Sequence, residues 1–177
     1  MNKKSQVSGY VFIYILTAVL VSVIFIYGYN AITNFRQQAE QLALLKFENE
    51  LQNSVDKVSF SKNTVEIKDF SVPGQFSEVC IIKNNPNLPD LTGTSIEADY
   101  PIIFDSVKDD LEKNIFLLSS KLPHSFWIEH KIQTAILTSP SAPPTETNFL
   151  CLEPLTGKLR LRLENKGTYV QITEFTT

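Results

Sequence analysis

Between Ser5 and Phe35 the chain has no charged side chain, an absence running for about thirty residues. A surface helix of a globular domain keeps one polar face, so a run of this kind excludes that role. Proline is also missing until Pro73, and all nine prolines lie between Pro73 and Pro154. Nothing therefore breaks a helix in the first part of the molecule. The six glycines are too scattered for a phosphate-cradling loop. Histidine and cysteine occur twice each, as His124, His130, Cys80 and Cys151, without the spacing of a zinc site, and no metal or cofactor is expected. A basic surplus is absent as well. The net charge is −3 and the pI about 5.4, which argues against nucleic acid. Lys158, Arg160 and Arg162 alternate along a strand pattern and read as its solvated face.

What is present begins with the uncharged run itself. Val7–Tyr29 is long enough to cross a lipid bilayer as a helix, since spanning takes roughly 20 residues. Tyr10, Phe12 and Tyr14 near one boundary, and Tyr27 and Tyr29 near the other, fit the aromatic belts of a membrane interface. Leu16, Leu20 and Ile24 lie along the same span. Lys3 and Lys4 stand in front of it and Arg36 is the first charge beyond it, so the positive-inside rule puts the amino terminus in the cytoplasm. Asn30–Val58 follows, rich in Ala, Leu, Gln, Glu and Lys. Its apolar residues, among them Ile32, Phe35, Ala39, Leu42, Leu44, Phe47, Leu51, Val55 and Val58, predict one amphipathic stripe. The expectation is a single helix over residues 6–58, with the span at about 7–29 as its membrane half.

Residues 59–177 read as a β-rich domain outside the cell, giving an α+β chain. Thr64–Val72 predicts a strand with a bulge near Asp69, and Val79–Ile82 a short buried run. Asn84–Thr94 is turn chemistry, and Tyr100–Phe104 a brief apolar run opening on a proline. Ser106–Ser120 predicts the domain's one short helix, with Ser106 and Asp109 as a capping start and Val107, Leu111, Ile115 and Leu118 as its stripe. Phe126–Leu137 predicts one strand or a strand pair, and Thr138–Thr147 an exposed loop. Lys158–Leu163, the Asn165-Lys166-Gly167 turn and Tyr169–Phe175 predict a terminal hairpin. Cys80 and Cys151 each sit inside a strand-like run. Outside the cytoplasm a bridge is the expectation, worth about 4 kcal/mol across a roughly 70-residue loop, with two buried thiols as the alternative.

Catalytic sets are thin. His130 follows Glu129 in a strand-like stretch, where a surface or satisfied histidine is the plain reading. Asp105, Asp109, Asp110 and Glu112 cluster in what reads as a first helical turn, where negative charge is favoured without any metal. Trp127 beside Phe126 reads as a core aromatic, with a ligand platform as the alternative. No enzyme is expected.

The opening Lys3-Lys4-Ser5, then Gln6-Val7-Ser8, then the apolar span, resembles the class III signal peptides of archaeal type IV pilins and archaellins. The resemblance implies a basic leader, residues 1–5, recognised through Lys3 and Lys4 and cut by a prepilin peptidase between Ser5 and Gln6. The span is then retained, stored in lipid, and extracted by an assembly ATPase and membrane platform to pack against like subunits in a cell-surface filament or a related secretion apparatus. Tyr10 takes the fifth mature position, where family members often carry glutamate, a departure that by analogy fits minor or pseudopilin subunits. The competing reading is a single-pass anchored ectodomain that binds a surface partner and never polymerises.

Overall fold

A chain free of proline over its first seventy residues winds one helix, α1, from Gln6 to Phe60. It is seen in a computed structural model that describes residues 6–85, 87–119, 123–137 and 143–175, with the backbone alone described at 6–9 and at 37. The chain divides into two units, the first ending at Leu42 and the second beginning at Ala43. The first is the leading part of α1, its apolar residues open to the surroundings.

The second unit opens on the rest of α1 and continues through nine strands and two short helices. In chain order these are β1 (Val65–Ser71), β2 (Glu78–Ile82), α2 (Ser95–Asp99), α3 (Pro101–Lys108), β3 (Ile115–Leu118), β4 (His124–Phe126), β5 (Ile132–Ile136), β6 (Thr145–Thr147), β7 (Phe149–Leu152), β8 (Lys158–Asn165) and β9 (Val170–Glu174). The larger sheet has the order β1-β8-β9-β5-β6 and the smaller β4-β3-β2-β7. All pairings are antiparallel except β5 with β9.

The main core lies where α1 meets both sheets. Phe47, Leu51, Val55 and Val58 of α1 pack with Phe70, Leu161, Leu163 and Ile172 of the larger sheet and Val79, Ile81, Ile115 and Leu117 of the smaller. Phe47 anchors it, edge-on to Phe70 at 6.4 Å and to Phe126 at 6.3 Å between ring centres. A second cluster fills the other face of the smaller sheet, where Cys80, Ile82 and Phe116 meet Ile96 of α2, Ile103 and Val107 of α3, and Leu91. Both faces of β2 and β3 are thus covered, which is why these strands read as unbroken apolar runs.

The long helix, the α+β class and the terminal hairpin agree with the sequence. Several details differ. The stripe predicted along α1 is not single. Ile32, Phe35, Ala39 and Leu42 are exposed, whereas Phe47, Leu51, Val55 and Val58 are buried. The step of five from Leu42 to Phe47 turns about 140° around a helix at ~100° per residue, so three-and-four spacing does not carry across it.

No bulge interrupts β1, whose register with β8 is continuous from Val65 opposite Glu164 to Ser71 opposite Lys158. Period two holds, but Val65 and Ile67 face outward. Their neighbours Glu66 and Lys68 point toward α1, where Lys57 Nζ lies 3.0 Å from Glu66 and Lys68 Nζ bonds Ser54 Oγ at 3.0 Å. The predicted helix over Ser106–Ser120 is replaced by α2 and α3 upstream and by β3 at Ile115–Leu118. Pro101 occupies the first turn of α3, the helical position proline tolerates. Phe126–Leu137 supplies two strands in different sheets, β4 and β5, rather than a pair.

Three buried asparagines hold the irregular connections. Asn84 donates to the carbonyls of Ile128 and His130 and accepts from the Ile132 N–H. Asn114 exchanges two bonds with the Ile128 backbone. Asn165 donates to the carbonyls of Val58, Ser59 and Ser61 at 2.8–3.1 Å and so caps the end of α1 from the hairpin.

Candidate functional site

The span predicted by composition is helical and its large apolar side chains are exposed from Tyr10 onward. Tyr10, Phe12, Leu16, Leu20, Ile24 and Tyr27 are each exposed by half or more, with Ile24 at 69% and Tyr27 at 72%. Tyr10 and Tyr29 stand 19 residues apart, about 29 Å at ~1.5 Å per residue, close to the ~30 Å hydrocarbon thickness of a bilayer. Two hydroxyls between them are consumed locally. Thr17 Oγ1 donates to the Tyr14 carbonyl at 2.9 Å, and Ser22 Oγ to the Ala18 carbonyl at 2.8 Å. A polar group in hydrocarbon needs such an internal partner, because no water is there to supply one. Among the described residues α1 is the one helix long and apolar enough to cross a membrane.

Gln6 and Val7 begin α1. The leader residues Lys3, Lys4 and Ser5 lie outside the described residues. Cys80 and Cys151, 71 positions apart in sequence, face each other across β2 and β7 and are joined as a disulfide. The bridge ties the two strands beneath α2 and α3.

No family model matches the chain, and no curated protein or solved structure matches it either. The reading therefore rests on residues and geometry.

One constellation has the composition of a hydrolase triad. His130 Nε2 lies 3.1 Å from Asp56 Oδ1 and 3.5 Å from Ser59 Oγ. A relay needs the carboxylate on one ring nitrogen and the nucleophile on the other. Here both meet Nε2, and the Ser59 hydroxyl donates to the Asp56 carbonyl at 2.7 Å. The arrangement fastens the end of α1 to the segment between β4 and β5. His124 plays a similar part nearer the middle of α1, its Nε2 3.8 Å from Glu48 Oε2.

The carboxylates Asp105, Asp109, Asp110 and Glu112 do not occupy a first helical turn. They lie along the end of α3 and just beyond it, all exposed, and no three converge to ligand distance. Trp127 is half-buried and belongs to neither apolar cluster, which corrects its assignment to the core.

Two of the alternating cations of β8, Arg160 and Arg162, are ion-paired. Arg160 grips Asp69 of β1 through two guanidinium nitrogens, the second at 2.9 Å, and Arg162 lies 2.9 Å from Glu164. The Arg160 hydrogen bonds hold the Asp69 carboxyl below the usual carboxylate range.

A polar contact that the sequence reading missed lies over the second apolar cluster. The Tyr100 hydroxyl sits 2.7 Å from both carboxylate oxygens of Glu78. That hydrogen bond, followed by burial and by the charges of Glu78, Asp99 and Glu153, pushes the phenol up to about 12. Tyr100 joins α2 to α3 and clamps both to β2. Its signal was Pro101, which marks a helix start and makes Tyr100 the residue before it.

Proposed function

We propose that the chain is a structural subunit of an archaeal type IV pilus-like surface filament or a related secretion apparatus. The leader carrying Lys3 and Lys4 is removed between Ser5 and Gln6 by a prepilin peptidase on the cytoplasmic side. The mature subunit waits in the bilayer with its β-rich domain outside. An assembly ATPase, acting through a membrane platform, then drives its extraction, and the apolar part of α1 exchanges lipid for the same segment of like subunits.

The observation that supports this reading is the exposure of every large apolar side chain from Tyr10 to Tyr29 on a helix that starts at Gln6. Such a segment is stable only in hydrocarbon or against other apolar helices, and a filament subunit uses both in turn. The internal bonding of Thr17 and Ser22 suits either setting.

Amino-terminal sequencing of the protein from its native cells, with and without an active prepilin peptidase, tests the proposal. A mature chain beginning at Gln6, and only where the peptidase is active, is the expected result. A chain that keeps Lys3 and Lys4 and stays monomeric in detergent is instead an anchored ectodomain.

A further inference from the structure

We propose that Glu78, Cys80 and Cys151 form a zinc site that the disulfide masks, holding the ion through two thiolates and one carboxylate once the bridge is reduced. Glu78 and Cys80 are two residues apart on β2 and so point to the same face. Cys151 is the register partner of Cys80 on β7. One ligand atom from each residue, two sulfurs and a carboxylate oxygen, all lie within 4.8 Å of one another. Sequence spacing hides this group, because the two cysteines are far apart in the chain and adjacent only in the sheet.

The donor chemistry selects the metal. Two thiolates exclude magnesium and calcium, and three protein ligands with a fourth position for water is a common zinc arrangement. Cys80 is buried and its two partners half-buried, so the site is shielded on one side and open on the other. An open cavity of about 310 Å³, lined by Ser77, Glu78, Asp99 and Tyr100 among others, reaches the Glu78 end of the group. Tyr100 supplies the outer support that metal carboxylates need. Its hydroxyl donates to Glu78 and so fixes the orientation of the carboxylate.

The chemistry balances. A phosphine reductant and one water convert the disulfide into two thiols and a phosphine oxide. Zinc then displaces both thiol protons to solvent and forms two zinc–sulfur bonds and one zinc–oxygen bond. Reoxidation by molecular oxygen, which takes two electrons from the thiolates and two protons from solvent and leaves as hydrogen peroxide, remakes the disulfide and releases the ion, so bridge and metal exclude each other.

The test is a cadmium titration of the full-length protein in detergent, with and without phosphine, read by the ultraviolet charge-transfer band of cadmium thiolates. One cadmium per reduced chain and none per oxidised chain is expected. Zinc should displace the cadmium and abolish the band. Glu78→Gln should weaken binding at least 10-fold, and Tyr100→Phe, which leaves all three ligands in place, about 10-fold or more. Circular dichroism follows the fold in parallel. A reduced domain that unfolds without taking up metal overturns the proposal, as does cadmium binding to which both variants are indifferent.

Discussion

The two parts of helix α1 share one backbone ladder and opposite surroundings. From Tyr10 to Tyr29 large apolar side chains point to every side and none is covered. From Phe47 to Val58 the apolar residues fall at steps of four and three and are fully buried by the β-rich domain, while Glu50 and Lys57 take other sides. What differs is the arrangement of apolar residues more than their number. A helix with one apolar stripe finishes its burial inside its own chain, whereas one that is apolar all round needs a second solvent or a second molecule. Folding of the domain thereby uses one stretch of the element and leaves the apolar surface of the other open.

The contrast breaks most sharply at Phe47. Phe47→Ala should destabilise the domain by about 3–5 kcal/mol and leave membrane retention unchanged, measured by thermal melting in detergent and by fractionation. A loss of retention without a change in melting would reverse the assignment. Leu20→Asp is the opposite probe. It should cost about 2.5–3.5 kcal/mol of membrane insertion and release the chain from membranes, with domain melting unaltered.

Asn165→Ala sharpens the boundary between the helix and its domain. Removing the amide takes a donor from the Ser59 and Ser61 carbonyls, while Val58 keeps the Ser61 N–H, and should cost about 1–3 kcal/mol. Amide exchange should then quicken over Asp56–Phe60 and stay unchanged over Thr17–Ser22. The smallest effect is at Tyr100. Because its folded pKa is raised to about 12 from the ordinary value near 10, the stability it contributes is whole below pH 10 and fades as pH climbs through 12. Tyr100→Phe should flatten that alkaline slope and leave the neutral-to-acid profile alone. An unchanged slope would mean that the phenol–carboxylate bond is not what anchors α2 and α3.

Legibility varied with how locally each element is specified. The hairpin of β8 and β9 was readable because Leu159, Leu161 and Leu163 alternate with cations and the turn residues follow at once. The segment from Pro101 to Leu118 misled because Val107, Leu111, Ile115 and Leu118 are spaced like a helical stripe. Leu111 is 53% exposed, and Ile115 and Leu118 belong to a strand that gains its stability from both faces being covered. In β1 the outward Val65 and Ile67 mimic a core face. The inward side is instead taken by Glu66 and Lys68, which find partners on α1 that no local pattern announces. The Asp56, Ser59 and His130 cluster, the Asn165 cap and the Glu78 pairing are likewise products of tertiary contact.

The uncharged, proline-free opening by itself determined that this protein carries a long helix with an apolar membrane-length segment, since both properties depend on residues near one another in the chain. The alternating tail settled its hairpin for the same reason. Only the tertiary structure decided that the buried stripe begins at Phe47, that Cys80 and Cys151 are register partners on β2 and β7, and that Glu78 joins them beneath Tyr100. Those outcomes depend on which distant strands pair, and pairing is set by the joint burial of two sheets and a helix rather than by any neighbourhood of sequence.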